Sequence, residues 1–211
     1  MAMKRDKYCL LITFKCDWDC SYCIVDTHNQ PEPTHYQIFD MIDNIKDHST
    51  VSIAGGEPGM ARRELIVEIL DRLEKKNCDI QMDTNGLFIK RYPDLVSRIS
   101  YFFYHCSDTL ENKDIYRPKL NNPMDYVIIA DDENFKLVKP FLEYNKDLNI
   151  HVHKARVPQK DHRTSLSTKN ALFLYNEIKH LIAKESIMHL IGDNSSINKD
   201  VNIIGLRQWS Q

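Results

Sequence analysis

Lys15-Cys16-Asp17-Trp18-Asp19-Cys20-Ser21-Tyr22-Cys23 is the stretch on which the reading of this 211-residue chain turns. Its three cysteines stand at C-x3-C-x2-C, directly after an apolar run, Tyr8 to Phe14, that reads as a strand. Three thiolates this close in sequence can converge on one soft centre, an iron–sulfur cluster or a zinc ion. No fourth cysteine follows at a short spacing, so one coordination position stays open, as it does in catalytic metal sites. A zinc knuckle, an oxidised pair and chance are the plain alternatives.

Outward from this loop, short apolar runs alternate with amphipathic ones. Strands are predicted at Val51–Ile53, Asp79–Asp83, Tyr101–Cys106, Tyr126–Ala130 and Ile150–Ala155. Helices are predicted at His35–Lys46 behind a Thr34 cap, Arg62–Lys75, a weaker one at Asp94–Ile99, and one after Asn134 to Tyr144 with Pro140 as a kink. The clearest helix is Thr168–Lys184, with Ala171, Leu172, Tyr175, Ile178, Leu181 and Ile182 on one stripe. From about 187 to 211 no period emerges, and that tail is left unassigned. Six strands alternating with helices predict an α/β chain with an open parallel sheet, a (β/α)6 partial barrel with outer helices. With no linker in sight, 1–211 reads as a single domain.

The composition is 42% hydrophobic and 27% charged with a net charge of −2, so nothing global argues for a nucleic-acid or membrane surface. The apolar run behind the charged start is too short for a signal peptide or a span. Six cysteines, three of them clustered, are too few for a disulfide scaffold, and a reduced cytoplasmic protein is expected.

In parallel β/α folds, sites gather at the carboxyl ends of the strands. The second strand ends in Gly55-Gly56-Glu57-Pro58, where two glycines permit close backbone approach to a ligand. The third ends in Thr84-Asn85-Gly86, which serves equally as a plain turn. The fourth delivers Cys106, Ser107 and Asp108, candidates for ribose or substrate contact or, for the aspartate, a cap. The sixth delivers His151, His153, Lys154 and Arg156, where a cation can hold a carboxylate. Cys106 reads as a hydrogen donor or an inert core thiol, and both histidines as catalytic or satisfied by neighbours. Cys9 and Cys78 read as small buried hydrophobes at the far end.

The cysteine spacing together with Gly55-Gly56-Glu57-Pro58 resembles the signature of the radical SAM superfamily. The resemblance implies a [4Fe–4S] cluster on Cys16, Cys20 and Cys23, with S-adenosylmethionine on the fourth iron. It further implies that Gly55, Gly56 and Glu57 hold the cofactor's amino group, with Asn85 alongside, Ser107 and Asp108 near the ribose, Lys154 at its carboxylate and Tyr22 by the adenine. Reductive cleavage would yield a 5′-deoxyadenosyl radical that abstracts hydrogen from substrate, with Cys106 and His153 as further catalytic candidates. Electrons would come from a flavodoxin or ferredoxin. The compact chain favours a small-molecule, nucleotide or nucleobase substrate. An activase acting on a glycyl radical enzyme is the alternative, and a non-catalytic iron–sulfur or zinc-binding module the alternative of another class.

Overall fold

Alternation of side chains about each strand divides this sheet into two unlike faces. The computed structural model describes residues 5–23, 30–155, 165–181 and 201–204. Among them run β1 (Lys7–Thr13), α1 (His35–Asp43), β2 (Thr50–Gly55), α2 (Arg63–Lys75), β3 (Asp79–Thr84), α3 (Leu87–Arg91), β4 (Tyr101–His105), β5 (Met124–Ala130), α4 (Phe135–Tyr144), β6 (Ile150–Lys154), α5 (Thr168–Ile178) and β7 (Val201–Ile204). All pairings are parallel, in the order β6-β5-β4-β3-β2-β1-β7.

One face is sealed. Val51, Ile53, Ile80, Met82, Phe102 and Val152 are fully buried, and they share one core cluster with the apolar stripes of α1, α2, α4 and α5. On the other face Ser52, Ala54, Gln81, Asp83, Phe103 and His105 stay partly open. A doubly wound sheet would cover both faces with helices, so the one-sided cover marks an open partial barrel with a concave interior. No helix among the described residues is long and apolar enough to cross a membrane.

Local chemistry sets the boundaries. Thr34 caps α1 in a reciprocal box: its hydroxyl accepts from the Gln37 N–H at 3.3 Å, and the Gln37 side chain accepts from the Thr34 N–H at 2.9 Å. Thr34→Ala is expected to lose about 1 kcal/mol in denaturant unfolding. No measurable loss would mean that packing of Ile38, Met41 and Ile42 alone holds this helix.

Three elements differ from expectation. The third helix lies at Leu87–Arg91, not Asp94–Ile99, where only a 3-10 turn (Val96–Arg98) forms. Gly86, at φ 99°, reverses the chain, the Asn85 side-chain oxygen Oδ1 accepts from the Leu87 N–H at 3.0 Å, and Phe88 and Ile89 are buried at once. In α5 the buried stripe is Ala171, Leu174 and Ile178, whereas Leu172 is 54% exposed; residues 182–184 of the expected helix lie outside the described ones. Finally, the unassigned tail contributes β7, which pairs with β1 and adds a seventh strand to the expected six.

Candidate functional site

The exit of β2 lies directly on the exit of β1. Gly56 N–H donates to the Thr13 carbonyl and Glu57 N–H to the Lys15 carbonyl, both at 2.8 Å. A Cβ on Gly55 would stand 2.2 Å from the Thr13 oxygen, and one on Gly56 2.2 Å from the Lys15 oxygen. The two glycines therefore permit this close approach of chain to chain. They press the turn against the backbone that leads into the cysteine loop.

Glu57 is 1% exposed. Its carboxylate accepts from the N–H groups of Gly59 (2.8 Å), Asn85 (2.7 Å) and Phe88 (3.1 Å) and from the Thr84 hydroxyl (2.9 and 3.0 Å). Burial pushes its pKa up, against the pull of these donors. One buried carboxylate thus joins the exits of β2 and β3 and the first turn of α3.

The loop 15–23 is tied across the sheet at three places. The Asn85 amide donates to Asp17 at 2.7 Å, and the Ser21 hydroxyl to Asp131 at 3.2 Å. The Tyr22 phenol meets the Ser107 hydroxyl and the Cys20 thiol, and burial raises its pKa. Ser107 in turn accepts from the Ile129 N–H at 2.8 Å, linking β4 to β5. Between loop and strand ends lies a cleft of about 400 Å³ lined by Trp18, Cys20, Tyr22, Ser107, Asp108 and Asp131, among others. Asp108 is exposed in its wall, and partial desolvation raises its pKa. Asp131, 1% exposed and bonded to the N–H groups of Glu133 and Asn134, escaped the sequence reading. Its position just past the apolar run of β5 was the available signal.

The remaining candidates separate. Lys154 ends β6, partly exposed, and is not among the residues lining the cleft. His153 also lies in the last part of β6, its ring 6.4 Å from that of His151. His151 sits near the amino end of the strand, its Nε2 2.7 Å from Asp125, which also accepts from Asn149 at 2.5 Å. That network lies at the amino ends of β5 and β6, away from the cleft. Cys106 is fully buried, its thiol 3.5 Å from the Val127 carbonyl, and burial raises its pKa. Arg156 lies outside the described residues.

The cysteine loop corrects an expectation. Cys16, Cys20 and Cys23 were read as the ligands of a [4Fe–4S] cluster and as the motif that carries the resemblance. Among the described residues, no three His, Cys, Asp or Glu side chains form a group able to hold a metal ion. Two of the sulfurs meet groups of the loop itself: the Cys16 sulfur accepts from the Trp18 N–H at 3.4 Å, and Cys20 meets the Tyr22 phenol. Burial, with Asp17 and Glu57 nearby, pushes the Cys16 thiol up to about 11, and burial raises Cys20 as well. As placed, the three cysteines do not form a group that fits the cluster.

Comparison with known proteins bears on the whole architecture. The family model described as the Radical SAM superfamily matches residues 10–121, just over half of the chain. No curated protein matches. Among solved structures, native anSMEcpe with bound AdoMet and Cp18Cys peptide aligns at a TM-score of 0.60 with 14% identity, over 82% of this chain and 59% of that one. Streptococcus suis SuiB bound to precursor peptide SuiA aligns at 0.59 with 12% identity, over 95% of this chain and 49% of that one. SuiB bound to S-adenosylmethionine gives 0.59 at 13% identity, over 94% and 50%. The chain thus spans about half to three fifths of the length of these proteins, and at such identities the likeness is one of fold. The open parallel sheet and the family match agree, and the chain belongs to the radical SAM superfamily of enzymes.

Proposed function

We propose that this chain binds S-adenosylmethionine in the cleft at the carboxyl ends of β1, β4 and β5 and acts on a peptide or protein segment. The observation that carries this reading is the cleft itself, where an aromatic pair and an exposed carboxylate share one polar pocket. Tyr22 offers a face for the adenine, while Asp108 and Ser107 offer acceptors for the ribose hydroxyls. The Glu57 carboxylate is taken up by four protein groups, so the Gly55-Gly56-Glu57 turn presents backbone to the amino group. Asn85 acts one step back by holding Asp17, and Lys154 stands ready for an acidic group of the substrate.

Two of the aligned structures contain peptides, which supports a peptide or protein substrate over a small molecule or nucleobase. An activase acting on another protein is one form of this reading.

Calorimetric titration with S-adenosylmethionine tests the site. Asp108→Ala is expected to weaken binding about tenfold, the loss of one charge-assisted hydrogen bond, with the fold intact because Asp108 is exposed. Unchanged affinity in this variant would move the cofactor out of the cleft.

A further inference from the structure

We infer that Asp83 is a substrate-binding residue of the concave face, one whose carboxylic acid receives the N–H and C=O of a single residue in an extended peptide. This rests on the peptide reading proposed above.

Its placement follows from register. Ile80 and Met82 are fully buried on the helix-covered face, so Gln81 and Asp83 turn to the open one. Asp83 pairs in register with Phe103, which pairs with Asp125. It immediately precedes Thr84 and Asn85, the residues that bind Glu57, and so lies just inside the rim that carries the cleft. Asp125 on the same face is enclosed by Asn149 and His151, whereas the hydrogen-bond partner of Asp83 among the described residues is the Ser52 hydroxyl. A carboxyl group has about four lone-pair sites, so one serine leaves capacity for a ligand.

The surroundings decide the protonation state. The titratable groups facing Asp83 are Cys9 on β1 and Tyr101 and His105 on β4. Burial, and Asp83 itself, push the Cys9 thiol up to about 12, and burial drives His105 down to about 4. Burial raises Tyr101 too, so none of these neighbours carries charge at neutral pH. Burial pushes Asp83 up to about 7, with Ser52 opposing. Below about pH 7 the protonated carboxyl offers one donor and one acceptor side by side. An extended residue presents its own N–H and C=O toward the same side, so the two groups match.

The test uses the full chain, saturated with S-adenosylmethionine and offered a randomised pool of short peptides, with the retained sequences read by mass spectrometry. The wild type is expected to enrich a subset. Asp83→Asn keeps a donor and an acceptor and should retain that subset within about threefold. Asp83→Leu should lose it by at least about tenfold while S-adenosylmethionine binds as before. Equal enrichment by Asp83→Leu, or loss of cofactor binding in that variant, would overturn the assignment to peptide. A wild type that binds the cofactor but enriches no peptide would overturn the peptide reading and this inference with it.

Stability supplies an independent readout. The unfolded chain releases the Asp83 proton near the ordinary value of 3.8, whereas the folded chain holds it to about 7. Wild-type stability should therefore fall as pH rises through that window and level off above it. Asp83→Asn should remove this part of the slope, becoming the more stable protein at pH about 8. An unchanged slope would show an ionised Asp83 and end the argument from a neutral acid.

Discussion

Glu57→Ala is expected to lower stability by about 3–5 kcal/mol, the range for removing one member of a buried, charged hydrogen-bond network. Three N–H groups and the Thr84 hydroxyl would lose their acceptor inside the protein, where water does not replace it. In a chain of this size that corresponds to a fall of roughly 10 °C in the unfolding midpoint. Glu57→Gln keeps one carbonyl oxygen and should fall between wild type and alanine. Thermal unfolding of the three proteins side by side decides the matter. Wild-type stability in the alanine variant would mean that β2, β3 and α3 are joined by packing alone, and that Glu57 is available to a ligand after all.

Gly56→Ala should be nearly as damaging, by a different route. The added carbon would meet the Lys15 oxygen at 2.2 Å, the Lys15 carbonyl carbon at 2.6 Å and the Phe14 oxygen at 2.7 Å. All three are backbone atoms just past β1, where Leu10, Ile12 and the adjoining Phe14 are at most 2% exposed. The strand cannot retreat without opening the core, so the strain falls on the loop 15–23. A loss of about 3 kcal/mol is expected, at the upper end for overpacking. Because that loop forms one wall of the cleft, S-adenosylmethionine affinity should fall together with stability. Amide spectra would locate the change: shifts centred on residues 13–23 and 54–58 are expected. A variant with wild-type stability and affinity would refute the close approach of the two strand exits.

Much of the architecture was legible because it depends on local periodicity. The alternation of strands and helices, the Thr34 cap and the α2 stripe all follow from side chains within a few residues of one another. The helix at Leu87–Arg91 was missed for the complementary reason. It is too short for a period, and it forms because Gly86 turns Phe88 into a pocket built by other strands. β7 is four residues long and gains its identity only from pairing with β1.

The candidate site divides along the same line. Sequence by itself determined which residues gather at the carboxyl edge, since a strand's direction and length place its end. Only tertiary structure decided what each does there. The glycines of the second turn face the backbone of β1, Glu57 faces four donors drawn from β3, α3 and its own turn, and His151 faces Asp125 at the far end of the barrel. Cys16 and Cys20 meet groups within their own loop, and the three cysteines do not form a group able to hold a metal ion. Residue type and spacing specify what a side chain is able to bond. Which bond it makes depends on the donors, acceptors and burial that other strands bring to it, and those are properties of the folded sheet.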